Sequence, residues 1–144
     1  MADHLESRGA IVVGDGKFGV HAVGTSAYQG PIENLVGGKT LMGYGVEPGL
    51  ERAFFGALLL PDPDDFYDKN AVSVIIREIT VGYLEVDTAK AFVSGLAQNG
   101  LDRAACRAAI CGGSLRDPDD QPDDRLFRVR LDVVIPFHFR TPKI

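Results

Sequence analysis

The sequence contains no tryptophan, two cysteines and three histidines in 144 residues. Cys106 and Cys111 would lie roughly 16 Å apart along an extended strand, beyond the reach of a disulfide. Two thiols without a second pair of ligands nearby do not make a structural zinc site. Reduced thiols in a cytoplasmic protein are therefore expected. His4, His21 and His138 are far apart in the chain, and no Ser or Cys stands in a nucleophile-elbow pattern. No catalytic residues are assigned and the chain is read as not an enzyme. No apolar run approaches the roughly 18 to 20 residues that span a bilayer. The opening MADHLESRG has no apolar h-region, so neither membrane association nor secretion is expected.

Basic charge is also scarce in two places. The net charge is −5. Nine of the 20 acidic residues lie in Asp62 to Asp68 and Asp117 to Asp124, neither of which contains a base. The rest of the chain has 15 Lys and Arg against 11 acids, a net +4. A binding site responds to its local field rather than to the total, so a nucleic-acid partner is not excluded, although a strongly basic footprint is missing.

What is present is a chain 45% hydrophobic and 24% charged, ordinary for one globular domain. "GAIVVGDGKFGVHAVG" reads as strands Ala10 to Val13 and Phe18 to Val23 around an Asp15-Gly16 hairpin turn. "GPIENLVGG" suits a short helix with Pro31 in its first turn and Ile32, Leu35 and Val36 on one face. Phe54 to Leu60 reads as a buried run. Ala71 to Ile76 and Thr80 to Leu84 read as a hairpin. The main helix has Asp87 as its N-cap, Ala89, Phe92, Val93 and Leu96 at helical spacing, and Gly100 as its closing residue. "RAACRAAICGG" reads as a strand, although its alanines also permit a helix. In "LFRVRLDVVIPF", Phe127, Val129, Leu131 and Val133 occupy one face and Arg128, Arg130 and Asp132 the other. Many short strands with one main helix and one short helix, and no βαβ rhythm, indicate a mainly β (α+β) fold, a small OB/SH3-like β-barrel.

Three motifs fail on context. "GDGKFG" matches G-x-G-x-x-G at Gly14, Gly16 and Gly19, but a strand rather than a helix follows, so no helix N-terminus faces a pyrophosphate. "GGKT" at residues 37–40 lacks the first glycine of a P-loop, since Glu33 stands there. Asp62, Asp64, Asp65 and Asp68 lack the spacing and closing Glu of an EF-hand. A solvated acidic turn is the simpler account of that cluster, and neither a metal nor a cofactor is expected.

Asp65-Phe66-Tyr67-Asp68-Lys69-Asn70-Ala71-Val72, followed by Val81-Gly82-Tyr83-Leu84 and a helix containing Ala89, resembles the HIRAN domain. Upstream, "VGTSAYQGPIENL" (residues 23–35) resembles that family's opening Val-Gly-x-x-x-Tyr. The resemblance covers Val23 to Val134, which divides the chain into an N-terminal hairpin extension, 1–22, and a HIRAN-like barrel domain, 23–144. It implies a modified OB-like barrel, found with Swi/Snf-type translocases and nucleases and also alone, whose best-understood members capture 3′ ends of single-stranded DNA in DNA repair or processing. Carried over, Tyr67 stacks on a base, Asp68 receives the terminal hydroxyl, and Tyr28 is the opening tyrosine. Phe127 occupies a plausible position for another ring and Tyr83 belongs to the second motif; Arg128 and Arg130, or Lys69 and Lys90, would compensate for phosphate contacts that the family's basic residues make. Each has a structural alternative: Tyr67 packing over the barrel end, Asp68 capping a turn, Tyr83 and Gly82 serving the hairpin. The chain departs from DNA-binding members at Ser26-Ala27, where they carry Arg-Tyr, and at Glu85-Val86, where they carry lysines. Two readings follow: a non-catalytic module engaging single-stranded DNA with a translocase or nuclease partner, or a HIRAN-like protein-interaction module that has lost the DNA site.

Overall fold

The computed structural model describes residues 10–37, 53–65, 68–112 and 126–141. Its strands are β1 (Ile11–Val12), β2 (Val20–His21), β3 (Ala53–Pro61), β4 (Val72–Ile76), β5 (Ile79–Tyr83), β6 (Ala104–Gly112), β7 (Phe127–Asp132) and β8 (Phe139–Arg140). A 3₁₀ turn, Thr25–Tyr28, leads into helix α1 (Gln29–Leu35), and helix α2 (Val86–Gln98) follows β5. None of the described helices is long and apolar enough to cross a membrane.

The main sheet runs β2-β7-β6-β3-β4-β5, with every one of these pairs antiparallel. Its two ends meet. Just past β2, Val23 and Tyr83 exchange backbone hydrogen bonds of 2.7 and 2.9 Å. This bridge curls the sheet into the expected small OB-like barrel. The alternation of apolar residues along the strands fills the inside with Leu59, Val72, Val74, Ile110, Val129 and Leu131, each at most 1% exposed. Ile32 of α1 and Ala89, Phe92 and Leu96 of α2 join the same core, as their helical spacing predicted.

Several expectations are corrected. β1 and β2 do not form a hairpin: β1 pairs with β8 and, in parallel, with β6 at Ala105, whereas β2 pairs with β7. The glycine loop between them folds instead around Asp132, whose Oδ1 accepts a 2.8 Å hydrogen bond from the Gly16 amide. Asp132, assigned by alternation to the polar face, is consequently 6% exposed. Phe54 to Leu60 is not uniformly buried, because β3 has a core face and an outer face; Phe54, on the outer one, is 56% exposed. The α2 N-cap is Glu85 rather than Asp87, and its carboxylate accepts from the Asp87 amide at 3.1 Å.

The β4–β5 hairpin lies where the sequence put it. Its turn residues Arg77 and Glu78 both take positive φ, 50° and 67°, a geometry that suits the twist of a two-residue hairpin but is costly for non-glycine residues. The Arg77 guanidinium, 5.0 Å from the Phe55 ring centroid, offsets part of that cost. Gly100 closes α2 with φ 66°, the expected left-handed C′ conformation. Both cysteines are free. Burial, with a smaller contribution from Asp132, pushes the Cys106 thiol up to about 12.

Candidate functional site

The barrel closure also builds the site. A Cβ on Gly82 would stand 2.8 Å from the Val23 carbonyl oxygen and 3.1 Å from Thr25 Cγ2, so only glycine lets the chain after β2 come this close to β5. Gly24, at φ 73°, then turns the chain into the 3₁₀ segment. That turn delivers Tyr28 to Tyr83, with ring centroids 6.3 Å apart and ring planes inclined at 52°. Their hydroxyls are 3.4 Å apart. The hydrogen bond to Tyr83, then desolvation, raises the Tyr28 phenol above its usual value.

Gln29 fixes this arrangement from below. Its Nε2 donates to the carbonyls of Thr25 and Phe127, both at 3.0 Å, and its Oε1 accepts from the Phe127 amide at 2.8 Å. The start of α1 is thereby tied to the first residue of β7. Gln29 was missed by sequence reading. It follows the opening tyrosine directly, but nothing in periodicity or charge marks a side chain that bonds to a strand about 98 residues away.

The aspartate segment is a chain of turns. Asp62 Oδ1 accepts from the Asp64 amide (3.3 Å), Asp65 Oδ1 from the Asp68 amide (2.9 Å), and Asp68 Oδ1 from the Asn70 amide (2.8 Å). These are local side-chain-to-backbone bonds of the Asx type. Among the described residues, no group of three His, Cys, Asp or Glu side chains is placed to hold a metal ion. The turn places Asp68 and the exposed Lys69 at the entry to β4. There Val72 accepts from the Leu84 amide at 3.0 Å and Ser73 lies opposite Tyr83. Asp68 and Lys69 therefore lie at the same end of the β4–β5 hairpin as the tyrosine pair. Tyr67 lies outside the described residues.

Past Tyr83 the barrel surface becomes basic. Arg128, Arg130 and Asp132 alternate with core residues along β7, and His21 pairs with Arg130. Ala22 donates to the Val129 carbonyl at 2.9 Å. Continuing that register by one residue sets Val23, 43% exposed, between Tyr83 and Arg128. Two strand spacings separate the latter pair, about 10 Å. The Arg130 Nε donates to the Phe18 carbonyl at 2.9 Å, which fixes its guanidinium on the outer face. The field of Arg130 and Arg128 adds to desolvation in holding the His21 imidazole below its usual value.

These elements are a glycine-enabled tyrosine pair, an Asp-Lys-Asn turn feeding a strand, and a helix after the second tyrosine. They occur in the order of one family, and residues 15–130 match the model of the HIRAN domain. The chain belongs to the HIRAN domain family. No curated protein and no solved structure matches it. HIRAN domains are DNA-binding modules, generally non-catalytic, which supports a nucleic-acid-binding role. The match begins at residue 15, so the HIRAN region includes β2 as well as the segment from Val23 onward.

Within this HIRAN domain the Tyr28 and Tyr83 rings meet, Asp68 and Lys69 precede β4 at the end of the hairpin where β5 finishes, and Arg128 and Arg130 lie on β7 across Val23. Phe127 does not join them. It is 5% exposed within the core cluster and faces inward with Val129 and Leu131, so its ring is a packing group. Glu85, where DNA-binding members carry a basic residue, has become the cap of α2.

Proposed function

We propose that this HIRAN domain engages single-stranded DNA at 3′ ends, without catalysis, as a module of DNA repair or processing. The observation that carries the reading is the Tyr28–Tyr83 pair, joined across the Val23 bridge to Arg128 and Arg130 on one outer face of the barrel. Every base presents a π-face, and each base–aromatic stack is worth about 1 to 3 kcal/mol. Tyr28 and Tyr83 supply such faces, Tyr67 adds a further ring, and Lys69, Arg128 and Arg130 track phosphates.

Asp68 selects the end. Its Oδ1 is committed to the Asn70 amide, leaving Oδ2 to accept from a free 3′-hydroxyl. The same carboxylate repels a continuing phosphate, so an uninterrupted strand is disfavoured. A translocase or nuclease that works on such ends is the fitting partner.

Fluorescence anisotropy with oligonucleotides ending in 3′-hydroxyl or 3′-phosphate tests the reading. The 3′-hydroxyl form should bind more tightly, and affinity should fall steeply with salt. Failure of both oligonucleotides to bind at low salt would sink it and favour a protein-interaction module.

A further inference from the structure

A second feature lies further along the same outer face, where β7 leaves β6 after Asp132 and β1 takes its place beside Ala105. The strands fork there and leave a cleft of about 510 Å³, within the usual range for small-molecule sites. Its walls are largely apolar, from β1, Gly56 and Ala105, and three charged side chains line it: Arg107, Asp132 and Arg140.

Asp132 is the unusual member. Its side chain is 7% exposed, and Gly14 packs so closely that an added Cβ would overlap the carboxylate. Oδ1 accepts from the Gly16 amide. Oδ2 has an Arg107 nitrogen at 4.0 Å, too far for a hydrogen bond, and receives none from the described residues. Buried carboxylates are costly unless their lone pairs are filled. Arg107 is held beside the cleft by two rings, its guanidinium 5.3 Å from the Phe18 centroid and 5.9 Å from that of Phe54, and its side chain remains 67% exposed.

We propose that this cleft is a nucleotide pocket, in which Asp132 Oδ2 accepts from the exocyclic amino group of cytosine, adenine or guanine and Arg107 and Arg140 hold the phosphate. A carboxylate accepting from cytosine N4 is an established pairing. Thymine is disfavoured, because its one ring donor sits between two carbonyl oxygens that the carboxylate repels. Asp132 lies four residues from Arg128 on the same face of β7, about 13 Å along the strand, so the cleft can receive an internal nucleotide of a strand whose end sits at Tyr28 and Tyr83. Only this source of the nucleotide rests on the DNA-end reading; the pocket itself does not.

Amide spectra of the ¹⁵N-labelled full chain, titrated with dCMP and dTMP up to about 10 mM, a range suited to weak ligands, test the proposal. dCMP should shift Gly14, Gly16, Ala105 and Arg107, with dTMP about tenfold weaker. Asp132→Asn, which places an amide donor in the cleft, should abolish or reverse that preference. Arg140→Gln, an exposed change that leaves the fork intact, should weaken both nucleotides without altering the preference. Equal affinity for dTMP, or no shift of these amides with either nucleotide, would overturn the pocket. The octamer (dC)₈ separates the sources: cleft shifts that Tyr28→Ala removes for (dC)₈ but leaves for dCMP mark an internal nucleotide of the bound strand. Shifts from dCMP that persist when (dC)₈ fails to bind mark a free-nucleotide site, and in that case only the DNA-end reading is lost.

Discussion

The hydroxyl of Tyr28 stands 3.4 Å from that of Tyr83, between rings whose centroids are 6.3 Å apart. One comes from the turn after β2 and the other from the end of β5, so the pair exists only because the barrel closes. Tyr28→Ala should weaken single-stranded DNA binding by about 1 to 3 kcal/mol, roughly 5- to 150-fold in Kd. Tyr83→Phe should keep most of the affinity, since the ring remains. It should also lower the Tyr28 ionisation toward the ordinary value of 10.0, because the hydroxyl contact is the largest cause of the elevation. Ultraviolet titration of the phenols reads that change directly.

His21 reports on the basic surface. Its imidazole is held below 6.5 by desolvation and by Arg130 and Arg128. A lowered histidine pKa means that the unfolded chain binds more protons, so the stability held by neutral His21 is present above pH 6.5 and is lost as pH falls through the lower folded value. DNA phosphates on the arginines should oppose that field and raise the His21 pKa. Binding should therefore take up protons, and oligonucleotide affinity should increase as pH drops below 6.5. NMR titration of His21 with and without oligonucleotide checks both. An unchanged midpoint would place the phosphates elsewhere.

The periodic elements were legible in the sequence and the closures were not. Alternation along β7 and helical spacing along α2 located their core faces, because burial repeats with the backbone. Alternation also set Asp132 on the outer face with Arg128 and Arg130, but did not reveal its burial, which comes from a glycine loop about 116 residues away folding over it. The same distance effect hid the pairing of β1 and β2: two short strands flanking Asp-Gly read as a hairpin, yet each has a longer-range partner in β6, β7 or β8. At the site, the family resemblance pointed to Tyr28 and Tyr83 but not to why their rings meet. That depends on the missing Cβ of Gly82 and on Gln29, and neither effect has a sequence period.

Gly82 gives the sharpest stability test. A methyl group there meets backbone, the Val23 carbonyl at 2.8 Å, and cannot be relieved by rotating a side chain. Gly82→Ala should cost about 1 to 3 kcal/mol and should separate Tyr28 from Tyr83 as the bridge opens. Gly56, inside β3, has nothing within 4 Å of where its Cβ would stand, so Gly56→Ala should be stabilising by about 0.5 to 1 kcal/mol. Opposite signs of the two shifts in Tm, measured by thermal denaturation, are the expected result. Equal shifts would remove Gly82 from its role in closure.

Asp68 has two duties that one substitution separates. Its Oδ1 accepts the Asn70 amide and holds the turn into β4, a role that needs an oxygen but not a charge. Selection against a 3′-phosphate needs the charge. Asp68→Asn should therefore keep the fold, with a change in Tm of only a few degrees, while the preference for a 3′-hydroxyl over a 3′-phosphate collapses toward unity. Asp68→Ala should lose both the preference and the turn bond, worth about 0.5 to 1.5 kcal/mol. If Asp68→Asn retained the full end preference in competition anisotropy, the carboxylate would be a turn residue alone, and end selection would have to come from another part of the surface.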